Sequence, residues 1–246
     1  MPSGITGVSR FARRKPLGGI MLGQVDLSGH DRALPADQSY VYVVDDDEPT
    51  RQSLSALFRS VGLRVQTFGS AHEFLSFVRP DVPSCLILDV RLPYESGLEL
   101  QQQLLKADLS ISIIFISGHG DVPMTVQVMK AGALDFLTKP FRDQDILDAV
   151  ACALRHDAER LDNQRSTADL QYRYRSLSAR ERAVMSYVVA GLMNKQIAAE
   201  MHLSEITIKK HRAQAMKKMA SRTMAEFVRK GEILGIEPEP AWKCAR

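Results

Sequence analysis

Five short apolar runs, several of them ending on a charged or hydroxyl side chain, limit what this chain can fold into more than any other feature. YVYVV (40–44) runs into Asp45-Asp46-Asp47, and LRVQTF (63–68) forms a second run. CLILDV (85–90) carries Asp89, IIFIS (113–117) ends on Ser117, and ALDFLT (133–138) runs into Lys139-Pro140. Helical patterns fill the gaps. Glu48-Pro49 opens one, with Leu54, Leu57, Phe58 and Val61 at i, i+3, i+4 and i+7. Ser70 and Glu73 have capping-box spacing and open a helix expected to reach Arg79. Further helices are expected from about Ser96 to Lys106, from about Val122 to Ala131, and through Ile146, Val150 and Leu154. Three strands are apolar enough for burial on both faces, which predicts a doubly wound parallel five-stranded α/β sheet of order 2-1-3-4-5.

The flanking segments read differently. Residues 1–40 contain many Gly, Pro and Ser; RFARRK (10–15) and LGGIMLG (17–23) imitate a signal peptide without its cleavage site. A disordered leader over 1–39 is the expectation, or an upstream start with Met21 as the alternative. Residues 155–176 are polar, with Leu154, Leu161, Leu170 and Leu177 as sparse apolar marks, and fit a helical or partly ordered linker. From Leu177 to about Gly235 only helical periodicity remains. Ser178 and Glu181 make a second capping box, Gly191 stops that helix, and Asn194 caps a short one to Met201. Ser204 caps a long one ending near Ala220, and a fourth follows Thr223. The expected boundaries are therefore an α/β domain at 40–156, a linker at 157–176, an all-α four-helix domain at 177–235 and a tail at 236–246.

Composition narrows the function classes. The 246 residues suffice for two domains, and 25% are charged. No apolar run approaches the roughly 18 residues of a membrane span, so no membrane partner is expected. Three widely spaced cysteines, Cys85, Cys152 and Cys244, make neither a disulfide framework nor a zinc site and point to a reducing cytoplasm. Residues 41–158 hold 10 Lys/Arg against 16 Asp/Glu, whereas 159–246 hold 17 against 10. An acidic half joined to a basic half implies two jobs, the second involving a polyanion.

In a parallel sheet, ligands bind at the carboxyl ends of the strands. Asp45, Asp46, Asp47, Asp89, Ser117 and Lys139 all fall there. Crowded carboxylates call for a cation, and a hard divalent ion with oxygen ligands fits best. A carboxylate beside such an ion, a lysine and a hydroxyl suits phosphoryl transfer. No Gly-rich phosphate loop follows the first strand, which argues against a bound nucleotide. Asp45 to Thr50 nearly spells the nucleophile motif of HAD-type phosphatases, but Pro49 stands where Thr or Val is needed.

VVDDDEP (43–49), LILDVRLP (86–93) with Gly97, IFISGHGDVPM (114–124) and KAGALDFLTKPF (130–141) resemble the CheY-like receiver domain of two-component signalling. The resemblance implies that Asp89 accepts the phosphoryl group. It implies Mg²⁺ held by Asp45, Asp46, Asp89 and the backbone carbonyl of Arg91. Ser117 and Lys139 would contact the phosphoryl oxygens, with Phe136 the aromatic that turns inward as Ser117 shifts.

The helix beginning at Ser204 has Ile208, Ala215 and Met219 on one stripe, with Lys209, Lys210, Ala213 and Lys217 on the opposite one and His211 and Arg212 beside it. A solvated charged face would look the same, but residues 177–230 carry 11 Lys/Arg against 4 Asp/Glu. The short turn before it gives the form of a helix-turn-helix. LSARERAV (177–184), GLMNKQIA (191–198), LSEITIKKHR (203–212) and KKM (217–219) resemble the LuxR/NarL/FixJ-type DNA-binding domain. The resemblance implies that Asn194, Lys195 and Thr207 touch phosphates and that Lys209, Lys210 and Arg212 enter the major groove. Ala213 stands where several relatives carry a longer polar residue, which leaves a thymine methyl as its possible contact.

Together the segments resemble a FixJ/NarL-type response regulator of the StyR/TodT branch. That implies a transcription regulator with no enzymatic activity beyond its own phosphoryl transfer and dephosphorylation. It implies a sensor histidine kinase, homodimerisation on phosphorylation through the face formed by about 122–157, and double-stranded promoter DNA. RNA polymerase would be a partner of an activator, and the branch suggests control of aromatic-compound catabolism. The competing class is a DNA-binding protein whose receiver is a static dimerisation module.

Overall fold

The computed structural model of the protein describes residues 39–236 apart from Tyr94, Asp108 and 119–121. The leader expected at 1–39 thus lies outside the described residues except for Ser39, and the tail except for Ile236.

Five parallel strands form one sheet: β1 (Tyr40–Val44), β2 (Arg64–Phe68), β3 (Ser84–Asp89), β4 (Ser112–Ser117) and β5 (Asp135–Thr138). Their order is β2-β1-β3-β4-β5, as the alternation of strands and helices predicts. Successive strand residues serve opposite layers because side chains alternate across a pleated sheet. Val41, Val43, Cys85, Ile87, Ile114 and Ile116 pack on α1 (Glu48–Ser60) and on the proximal part of α5 (Asp143–Arg175) through Leu54, Phe58, Ile146 and Val150. Tyr42, Val44, Leu86, Leu88, Ile113 and Phe115 face the other way. They meet α2 (Ala71–Ser76), α3 (Gly97–Lys106) and α4 (Val122–Lys130) through Phe74, Leu100, Leu104 and Val128.

One helix end and one domain boundary differ from the sequence expectation. The helix opened by Ser70 stops at Ser76 instead of Arg79. Phe77 turns extended there and sets its ring edge-on to Tyr42 and Phe68, while Pro80 disfavours helix at the residue before it. The stretch at 157–176 is helical almost throughout, and it continues α5 without a break to Arg175. The boundary expected at 156/157 falls inside that helix. Asp157 and Leu161 are buried, and Arg165 reaches back to the carbonyl of Asp81.

The C-terminal unit comprises α6 (Ala179–Val189), α7 (Asn194–Glu200), α8 (Glu205–Lys218) and α9 (Met224–Ile233). Val184, Met185, Ile197, Ile208, Ala215, Met219 and Phe227 build its core, joined by Leu170 near the end of α5. The capping box at Ser178 is complete: its hydroxyl accepts from the Glu181 amide, and Glu181 accepts from the Ser178 amide. Asn194 does not cap α7, as its sequence position suggests. Met193 holds the cap position, its amide donating to the side chain of Gln196, and the Asn194 side chain turns to α8 instead.

Candidate functional site

The carboxyl ends of β1, β3, β4 and β5 gather four side chains expected at the site. Asp45 follows β1 and is fully buried, Asp89 ends β3 with a slight opening to solvent, and Ser117 ends β4 and is buried. Lys139 follows β5, held in place by its amide donating to the Ser117 carbonyl at 2.8 Å; the Lys139–Pro140 peptide is cis. Its ammonium donates to Asp45 Oδ2 at 2.6 Å and to Asp89 Oδ2 at 2.7 Å.

The remaining carboxylate oxygens are fixed by backbone. Asp45 Oδ1 accepts the Asp47 amide and Asp89 Oδ1 accepts the Arg91 amide, each at 2.9 Å. Burial raises the pKa of Asp45, and this outweighs the opposing hydrogen bonds from Lys139 and the Asp47 amide. For Lys139 burial acts downward, but the hydrogen bonds to Asp45 and Asp89 prevail and raise it. The ammonium therefore stays charged between the two acids.

Asp46 is exposed beside this pair, and one carboxylate oxygen from each of Asp45, Asp46 and Asp89 lies within 4.8 Å of the others. Three hard oxygen donors at that spacing, open on the Asp46 side, fit a Mg²⁺-sized cation. Arg91 sits beside the cluster, bridged to Ser96. Phe136 is half-buried in β5, with Phe115 as its register partner. Asp47 has another job: its side chain accepts from the amide and hydroxyl of Thr50 and caps α1.

Two residues to which sequence reasoning assigned no role shape the site. Arg51, in the first turns of α1, donates to the Asp45 carbonyl at 2.6 Å. Gly97 packs so closely that a Cβ there would stand 2.4 Å from the Asp89 carbonyl oxygen. Arg51 carried a faint signal, an arginine six residues past Asp45; Gly97 carried one only as part of the receiver wording.

In the C-terminal unit, Lys195, Lys209 and Lys210 are exposed, as are Ala213 and Lys217. Arg212 is not extended toward solvent; its guanidinium donates to Asn194 Oδ1 at 2.9 Å and ties α8 to α7. Thr207 is half-buried, with its hydroxyl 2.8 Å from that of Ser204. The structure thus brings Asn194 and Arg212 together, and leaves the three lysines pointing outward.

Residues 41–151 match the family described as the response regulator receiver domain, and residues 175–230 match the bacterial regulatory proteins of the luxR family. The chain is 53% identical over 217 residues to nodulation protein W of Bradyrhizobium diazoefficiens, covering 88% of this chain and 96% of that protein. The chain belongs to the two-component response regulators. It is a transcription regulator and not a metabolic enzyme. It is 46% identical to response regulator protein TodT of Pseudomonas putida, over 80% of this chain and 86% of TodT. The solved structure of response regulator StyR superposes with a TM-score of 0.72 at 45% identity, covering 79% of this chain and 98% of StyR. These likenesses agree with the FixJ/NarL type and the StyR/TodT branch. Among the described residues, no helix is long and apolar enough to cross a membrane.

Proposed function

We propose that the regulator is switched by transfer of a phosphoryl group from a kinase phosphohistidine to Asp89. In that step a carboxylate oxygen of Asp89 bonds to phosphorus, the phosphorus–nitrogen bond breaks, and the imidazole leaves. Lys139 carries the reading. Its ammonium already contacts Asp89 at 2.7 Å and can follow the charge onto the phosphoryl oxygens without moving far. Asp45, Asp46 and Asp89, with the carbonyl of Arg91, would hold Mg²⁺, which supplies charge neutralisation at the transferring group. The Ser117 hydroxyl would donate to a phosphoryl oxygen, and Phe136 would repack as Ser117 shifts.

Once Lys139 is drawn toward the phosphoryl group, its bond to Asp45 competes with a new partner, and β5 with the helices beside it reorganises. The face at about 122–157 then pairs two copies, and two basic units engage two half-sites of promoter DNA with joint affinity. The proposed partners are a sensor histidine kinase, a second copy of the chain, promoter DNA and, for an activator, RNA polymerase. A phosphoryl switch that acts on promoter DNA supports a cytoplasmic location. The likeness to TodT supports the aromatic-catabolism reading, whereas the higher identity to nodulation protein W points to a different regulon; sequencing of bound promoter fragments separates them.

The test is the mass of the particle in solution. With Mg²⁺ and a small phosphodonor the wild type dimerises and binds DNA more tightly, and Asp89→Asn does neither. DNA affinity indifferent to both additions would instead support a receiver acting as a static dimerisation module.

A further inference from the structure

Ile206, the second residue of α8, is 80% exposed. Neither burial nor propensity accounts for it: a β-branched residue at an open helix position is a weaker helix former than alanine. Its place on the helix is informative. At about 100° per residue, positions 206, 210, 213 and 217 fall on one stripe roughly 60° wide, and Lys210, Ala213 and Lys217 are all exposed there. Lys209 flanks the stripe, so Ile206 sits at the amino end of a cationic face, where a helix lying in the major groove brings its side chains to base edges. The opposite face, with Ile208, Ala215 and Met219, is buried in the core, and the Arg212–Asn194 contact holds α8 against α7.

We propose that Ile206 is a specificity-determining residue that reads a thymine C5-methyl group in the major groove. This rests on the DNA-binding reading of the basic helix. Three observations carry it: the strong exposure of a branched apolar side chain, its alignment with Lys210 and Lys217, and the excess of 11 Lys/Arg over 4 Asp/Glu in residues 177–230. Apolar contact with the thymine methyl is the one base feature an isoleucine can recognise, because every other major-groove group needs a donor or acceptor. A single scattered apolar residue needs no explanation. Ile233, 59% exposed at the end of α9 and off this stripe, is the internal control.

The experiment uses the full chain with Mg²⁺ and phosphodonor. Duplex fragments are selected from a random library, and each thymidine of the bound site is replaced in turn by deoxyuridine, which removes only the methyl group. The wild type should lose about fourfold in affinity at one or two positions, the value expected for one buried methyl. Ile206→Ala should show that loss on unmodified DNA and no further loss with deoxyuridine at those positions. Ile233→Ala should behave as wild type. A wild type indifferent to every deoxyuridine, or an Ile206→Ala chain still sensitive at the same positions (which would assign the methyl to Ala213), overturns the proposal. Failure to select any fragment over a scrambled duplex would overturn the underlying DNA-binding reading, and this inference with it.

Discussion

Asp157, on the helix that leaves the sheet, accepts the amide hydrogen of Ser84 at 2.9 Å, 73 residues away. Ser84 is the first residue of β3 and Asp89 the last, so α5 grips one end of the strand whose other end carries the phospho-acceptor. Arg160 donates to the second oxygen of the same carboxylate at 2.8 Å. Asp157→Ala removes both bonds and strands a buried amide hydrogen. The expected loss is about 1–3 kcal/mol in urea denaturation, with Asp157→Asn losing less because its carbonyl oxygen can still accept from Ser84.

Gly97 sets a tighter limit. A methyl group 2.4 Å from the Asp89 carbonyl oxygen and 3.1 Å from the Phe115 ring has nowhere to go, since the first obstacle is backbone. Gly97→Ala should destabilise the receiver by about 1–3 kcal/mol through overpacking and displace Asp89, so that phosphoryl uptake falls even where the chain remains folded. Gly118→Ala, with open space at its Cβ, should leave stability within about 0.5 kcal/mol of wild type. Urea titration beside donor labelling measures both quantities.

Glu181 gives the C-terminal unit a pH dependence of known sign. Burial pushes its pKa up, but Lys218 at 2.6 Å and the amide and hydroxyl of Ser178 prevail and hold it below the ordinary 4.5. A carboxylate lowered in the folded state contributes stability that is fully present above pH 4.5 and is lost as pH falls through the folded pKa. Lys218→Met leaves a buried carboxylate without its cation. Its loss of stability should be larger at pH 7 than at pH 4, and Glu181→Gln in the same chain should recover part of it. Chemical denaturation across that range decides the matter.

Arg212 is expected to act through Asn194 and not on a base. Arg212→Ala frees α8 from α7, so DNA affinity should fall by a similar factor on every sequence, and the stability of the unit should fall by about 1 kcal/mol. A base contact would instead relax preference at one position, at about 1–3 kcal/mol. Competition binding against single-base variants of the selected site separates the two.

Much of this was readable from local pattern. The strand runs and their alternation gave the sheet order, because each apolar residue of β1, β3 and β4 had to be buried on one side or the other. The rim of Asp45, Asp89, Ser117 and Lys139 followed from strand ends alone. What stayed hidden depends on contacts distant in sequence. The polar stretch after Leu154 carries no sign that Asp157 is buried, because the amide that satisfies it belongs to β3. Asp45, Asp46 and Asp47 look alike in sequence, yet one is buried against Lys139, one is exposed, and one caps α1. Asn194 looked like a cap because its residue type favours one; Arg212, eighteen positions on, claimed its side chain instead.

The proposed switch turns on Asp89 taking the phosphoryl group. Incubation with Mg²⁺ and a small phosphodonor, followed by peptide mass mapping, should place the added group on the peptide containing Asp89 and nowhere else, and Asp89→Asn should remain unlabelled. No label on the wild type, or a label on Asp45, would contradict the account.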